Sequence, residues 1–311
     1  MRELPTAPTF TRSELRRLGW SDSAISRAIG SRRLVRFGRG VFADPVIASL
    51  TSTVGLIAAT HAVGGSVISH RSALTVHDLP VVGPRPCRPE LTVAPFGTAH
   101  AASGHVYRAS LDVADVTVVD DVPVTSVART LVDVGRHCPL RTAVCAVDAA
   151  LHRELVSERE LSDVLLRCYN WPGIRRAQRA VRLADGRSES PLESISRLAF
   201  PRLQIPAPRP QAVILDDRGW IVGRVDFYWD DLAIAGEADG RAKYADGDET
   251  LDAEKTRQER LEDLGLTVFR WGWTDATRAP WLIKQRFLRA TQRAEALRRS
   301  GLRRNWSVLP A

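Results

Sequence analysis

Residues 219–244, GWIVGRVDFYWDDLAIAGEADGRAKY, restrict the fold more than any other stretch of the chain. They read as two short strands joined by a tight turn around Trp229 to Leu232. Strand side chains alternate faces, so Asp226 is expected to share a face with Arg224 and Tyr228, away from Val225, Phe227 and Trp229. Glu237 and Asp239, at the end of the second strand, point the same way as each other. The turn then brings three acids to one rim. Clustered carboxylates repel, and a hard divalent cation such as Mg²⁺ is what commonly makes them tolerable. The same residues also read as a solvated hairpin in which Asp239-Gly240 is merely a turn.

A strand pair needs a larger sheet and core, and 311 residues allow two or three domains. The 44% hydrophobic and 26% charged content is that of an ordinary globular chain, with a formal charge of +8. Lysine occurs only at Lys243, Lys255 and Lys284, so 44 basic residues less three leaves 41 arginines. A G+C-rich coding sequence produces such a bias, so the clustering of charge says more than its total. Cys87, Cys138, Cys145 and Cys168 form no C-x-x-C pair and read as reduced thiols, with neither a disulfide framework nor a zinc site expected. The N-terminus lacks the apolar core of a signal peptide and no run of about 18 apolar residues occurs, so a cytoplasmic protein without membrane segments is expected.

Residues 1–47 read as a basic module. Thr11 with Glu14 forms a capping box that opens a helix over Thr11–Leu18. Gly19 ends it, and Ser21 caps a second helix running to about Gly30. SRRLVRFGRGVFA then reads as a hairpin, Leu34–Phe37 and Gly40–Ala43, turning at Gly38-Arg39. Two helices and a two-stranded wing are the order of a winged helix-turn-helix. From Arg12 to Arg39 eight arginines face two acids, Glu14 and Asp22. The second helix would offer Ser23, Ser26 and Arg27 to a DNA major groove, while Arg32, Arg33, Arg36 and Arg39 would meet phosphates or the minor groove. A protein-docking surface is the competing reading. FTRSELRRLGWSDSAISRAIGSRRLVRFGRGVFA resembles the N-terminal winged-helix domain of AbiEi-type antitoxins and related bacterial regulators, over about the first 45 residues. The resemblance implies DNA binding first and a cognate toxin as partner second.

Residues 48–185 read as an α/β connector. Helices are expected near 46–63, 71–77, 125–134, 141–151, 157–168 and 171–183, and strands at 90–94, 105–109, 116–119 and 122–124. Ser69 is expected to cap the helix after it, and Ser157 with Glu160 forms a second capping box. His70 reads as a packing or capping group. His100, His105, His137 and His152 have no metal-ligand spacing and receive no chemistry. Arg175, Arg176, Arg179 and Arg182 line either a phosphate path or a solvated helix face, and residues 184–190 read as a linker.

Residues 186–311 are expected to form a mixed sheet flanked by helices, ending in a basic helix and tail; Ser190-Pro191 opens the first helix. ESPLES, GRVDF, GEADGRAKY and EKTRQERLEDLGLTVFRW, in that order over residues 189–273, resemble the endonuclease-like domain related to the very-short-patch repair nucleases, in the PD-(D/E)xK superfamily. The resemblance implies Asp226 and Glu237 as metal ligands, Glu193 completing the acidic set and Gln211 positioning substrate. The lysine expected two residues after Glu237 is replaced by Asp239, which can add a metal ligand but cannot stabilise a developing phosphorane. Lys243 or Lys255 would take over that role, with Arg257 as phosphate clamp and Arg270, Arg278 and Arg286 on the DNA backbone. The chain as a whole is thus expected to be a multidomain α/β protein of α+β type. Two functions follow: a DNA-binding, Mg²⁺-dependent endonuclease, or a regulator or antitoxin whose nuclease fold has lost catalysis.

Overall fold

In the computed structural model the described residues are 9–38, 40–45, 54–96, 104–120, 122–239, 248–301 and 305–309, with backbone alone for 37, 38, 54 and 248–255. They form an α+β protein of three sheets and twelve helices. The chain divides into two compact units, residues 1–146 with 155–182, and 147–154 with 183–311.

The first unit begins with β1 (Phe10–Thr11), α1 (Arg12–Arg17), α2 (Asp22–Gly30), β2 (Val35–Gly38) and β3 (Val41–Ala43). Thr11 accepts the Glu14 N–H while Glu14 accepts the Thr11 N–H, the expected capping box. Gly19, at φ 81°, makes the left-handed turn that lets α2 start two residues later, and Ser21 caps α2 through the Ala24 N–H at 3.2 Å. Phe10, Leu15, Trp20, Ile25, Ala28, Leu34 and Phe42 form one apolar cluster under the helices. The small sheet has the order β1-β3-β2, so β1 adds a strand to the expected two-stranded wing.

The unit continues with α3 (Val54–Ala62), β4 (Val67–Ile68), α4 (His70–Val76), β5 (Glu90–Val93), β6 (His105–Arg108), β7 (Val116–Val119), β8 (Val122–Thr125), α5 (Val127–His137) and the start of α6 (Leu140–His152). It closes with α7 (Glu158–Arg167) and α8 (Ile174–Arg182). The sheet order is β6-β5-β4-β8-β7, over a core that includes Leu56, Val63, Ile68, Leu91 and Val124. Ser69 makes no side-chain cap on α4; its Oγ bonds His70 and Thr92 instead, correcting the expected role. Helices α5 and α8 cross so closely that a Cβ on Gly135 would lie 2.7 Å from the Ala177 Cα.

The second unit holds α9 (Pro191–Ala199), β9 (Arg209–Asp216), β10 (Ile221–Trp229), β11 (Ile234–Asp239), α10 (Asp248–Asp263), β12 (Thr267–Gly272), α11 (Trp273–Arg278), α12 (Pro280–Arg299) and β13 (Trp306–Val308). The sheet order is β12-β11-β10-β9-β13, and only β11 and β12, joined across α10, run parallel. Phe200, Phe227, Trp229, Phe269, Trp271 and Phe287 stack into an aromatic layer. Leu261 of α10 packs with Val225, Tyr228, Ala235 and Val268. Strand β13 was not expected; buried Trp306 anchors it through Nε1–H to the Tyr228 hydroxyl at 3.0 Å. Residues 184–190 are not a free linker. The Asp185 N–H donates to buried Asp148 at 2.7 Å, and Arg197 holds both Asp148 and the Leu183 carbonyl. Among the described residues no helix is long and apolar enough to cross a membrane.

Candidate nucleic-acid interface and carboxylate site

Helix α2 buries Ile25 and Ala28 and leaves Ser23, Ser26 and Arg27 exposed together, so the three expected base-facing residues share its outer face. Arg32, at φ 56°, and Arg36 are exposed, Arg33 is half-buried, and Arg39 lies outside the described residues. Arg12 and Arg16 of α1 both reach Asp22, at 2.9 and 2.5 Å. The Arg16 hydrogen bond holds the Asp22 carboxyl below its ordinary range. The acid at the N-terminus of α2 is thereby compensated within the head, and the charge left on the α2 face is that of Arg27.

In the second unit, β10 and β11 pair from Trp229↔Ile234 to Phe227↔Gly236. Immediately beyond, the Asp226 carboxylate takes the place of a ladder carbonyl and accepts the Ala238 N–H at 2.7 Å. The expected alternation breaks here. A Cβ on Gly223 would meet Arg257 of α10, and Val225 clusters with Leu261, whereas Phe227 lies in the aromatic layer on Phe200 and Trp271. The irregularity coincides with Gln211 on β9, whose φ of 51° is rare for a residue with a side chain. Gln211 Nε2 donates to Glu193 Oε2 at 2.8 Å, which also accepts the Glu189 N–H at 3.0 Å, while Ser190 Oγ donates to Oε1 at 2.7 Å. Glu193 is buried at the start of α9, as Pro191 at the first turn and the Ser190 cap dictate.

Glu237 is buried, and each of its oxygens meets a guanidinium: Arg257 at 2.8 Å and Arg270, its register partner on β12, at 2.7 Å. The Arg257 contact is an ion pair without hydrogen-bond alignment, which leaves Oε1 with no hydrogen bond. Arg257 also donates to the Arg224 carbonyl, and Arg224 pairs with Glu189. The sequence assigned Arg257 and Arg270 to phosphate; the structure assigns both to Glu237. Among the described residues no three His, Cys, Asp or Glu side chains are placed to hold a metal ion. The donor set is that of an ion-pair network and, so arranged, does not fit Mg²⁺. Asp239 lies in register with Gly272. Lys243 lies outside the described residues, as does the side chain of Lys255, while Lys284 donates to the Gln204 carbonyl.

His70, read from the sequence as a packing or capping group, and His137, given no chemistry by its spacing, come together with Tyr107 in the first unit: His70 stacks on Tyr107, and His137 meets both rings edge-on. They arise from α4, β6 and α5, so no linear motif announces them.

No protein-family model matches the chain. It is 32% identical over 170 residues to the uncharacterized proteins MT2308 and Rv2248 of Mycobacterium tuberculosis, strains CDC 1551 and H37Rv, matching 55% of this chain. The chain spans 62% of the length of these curated relatives. Among solved structures it is similar to the RV2827C protein of Mycobacterium tuberculosis, with a TM-score of 0.40 and 17% identity over 62% of this chain and 76% of that one.

Proposed function

We propose that the protein is a cytoplasmic DNA-binding protein of regulator type, with a nuclease-like second unit whose central carboxylate, Glu237, is neutralised by arginine. The observation that carries the reading is the outer face of α2, where Ser23, Ser26 and Arg27 stand exposed over a packed core, followed by exposed Arg32 and Arg36. Short hydroxyls and a guanidinium on one helix face suit base edges, and arginines on the flanking turn and strand suit phosphates. The Glu237–Arg257–Arg270 set supports a unit that has kept the fold of a nuclease while its central acid serves structure. The AbiEi-type resemblance of the head adds a cognate toxin as the partner of this reading. Operator-type binding is tested by fluorescence anisotropy on duplex DNA from the protein's own promoter, with and without Mg²⁺. The reading expects specific, Mg²⁺-independent binding lost in Arg27→Ala; absence of salt-sensitive DNA affinity contradicts it.

A second reading, an endonuclease, is favoured by one observation: the Asp226 carboxylate accepts the Ala238 N–H, one residue after Glu237, at the strand position opposite the strained Gln211. Incubating plasmid with Mg²⁺ and either the native chain or Asp226→Ala separates the two. Cleavage by the native chain alone supports the endonuclease; none by either, with operator binding intact, supports the regulator.

A further inference from the structure

In the first unit a cavity of about 420 Å³ lies between β5–β6, α5 and the turn before α8. That is within the roughly 300–1,000 Å³ typical of small-molecule sites. Its floor is a hydrogen-bond chain that runs from Thr92 through Ser69 and His70 to His137. Thr92 Oγ1 donates to Ser69 Oγ at 2.8 Å, and Ser69 Oγ lies 2.9 Å from His70 Nδ1. His70 Nε2 lies 3.3 Å from His137 Nδ1, which is 3.0 Å from the Asp133 carbonyl. A carbonyl only accepts, so His137 Nδ1 carries the proton, His70 Nε2 accepts, and His70 Nδ1–H points to Ser69. His137 therefore turns its Nε2 outward, on an exposed ring at the cavity.

The walls add two further kinds of group. Tyr107, stacked on His70 at 3.5 Å, supplies a ring and a hydroxyl whose pKa burial pushes up to about 12, so it stays a donor. Trp171 is held by the guanidinium groups of Arg129 and Arg136, 4.6 and 4.8 Å from its ring centre. Asp133 spends both oxygens on those same arginines, and Arg108 joins Arg136 in the cavity lining. His70 adopts φ 53° while buried, a conformation that surrounding structure must enforce and that gathers at binding sites.

We infer that this cavity is a nucleotide-binding site, taking the base against Tyr107 and Trp171, a base N–H or sugar hydroxyl on His137 Nε2, and the phosphate at Arg108 and Arg136. A bare anion has no use for two aromatic walls, and a neutral ring has no use for the arginines. The nucleotide is either free or an unpaired residue of a DNA strand, and neither source depends on the α2 reading. Calorimetry on the full chain with AMP, GMP, CMP and TMP, with inorganic phosphate, and with a single-stranded oligonucleotide distinguishes the sources. The site predicts binding by at least one of these nucleotides or the oligonucleotide. It also predicts that His137→Ala and Tyr107→Phe each weaken that binding about five- to tenfold, the effect of one lost hydrogen bond. Binding of mononucleotides assigns a free ligand; binding of the oligonucleotide alone assigns a strand residue. The His137 Nε2 signal in ¹⁵N-histidine NMR of the native chain must also move with ligand, a readout that needs no variant. The inference is overturned by nucleotide and oligonucleotide binding that both variants leave unchanged, by equal competition from inorganic phosphate, by no binding at millimolar ligand, or by a stationary His137 signal.

Discussion

Glu237 joins two guanidinium groups from elements that follow it by 20 and 33 positions, and this pairing decides how its removal is felt. If the carboxylate neutralises Arg257 and Arg270, Glu237→Gln leaves two half-buried cations facing each other. Stability then falls by about 1–3 kcal/mol, less than for a fully buried pair because both arginines remain partly exposed. If Glu237 belongs instead to a cluster of repelling acids awaiting a cation, the same change leaves the metal-free protein equally or more stable. Urea unfolding without divalent ions reads the sign. His70 gives a second prediction. Burial, then His137 and the nearby arginines, hold its pKa well below the ordinary 6.5, so the unfolded chain binds a proton that the folded chain refuses. Its contribution is complete above the unfolded value and is lost as pH falls below about 6.5 toward the depressed one. His70→Asn, which tolerates the left-handed φ, should flatten the acid limb of the stability–pH curve; an unchanged limb counts against it. The sequence brought forward Asp226, Glu237, Glu193 and Gln211 through strand alternation and motif order. It did not report the pairing of Arg257 and Arg270 with Glu237, because no local spacing tells which distant side chain meets a buried acid.

At the scale of elements, β11 is placed by its smallest residue. A Cβ on Gly236 would lie 2.8–2.9 Å from the rings of Trp271 and Trp229, so only glycine lets the strand lie against the aromatic layer and present Glu237 to Arg270. Gly236→Ala should cost about 1–3 kcal/mol through overpacking, measured by thermal unfolding, and an effect near zero contradicts this placement. Elements with local signals were legible: the capping boxes at Thr11/Glu14 and Ser157/Glu160 start α1 and α7 where the sequence puts them. Strands β4 and β13 were not, since two or three residues are too few to show an alternation and their partners are remote in sequence. Residues 184–190 have the composition of a linker, yet Asp148 and Arg197, far apart in the chain, hold this segment to the second unit.

At the scale of the molecule, the sequence reads as three modules, whereas the structure forms two compact units, the first of which carries both the head and the five-stranded β6-β5-β4-β8-β7 sheet. Acid and base are distributed to match: Asp22, Asp133 and Glu237 are all answered by arginines of their own unit. Arg27 and Arg32, exposed on the head, face solvent where an outside polyanion can reach them. The most direct measurement is the affinity of the full chain for duplex DNA across a salt series, alongside Arg27→Ala and Arg32→Ala. DNA binding through the head predicts an affinity falling linearly on a log–log plot, with each variant binding more weakly and its slope reduced by about 1. An affinity insensitive to salt, or slopes identical in all three proteins, contradicts it.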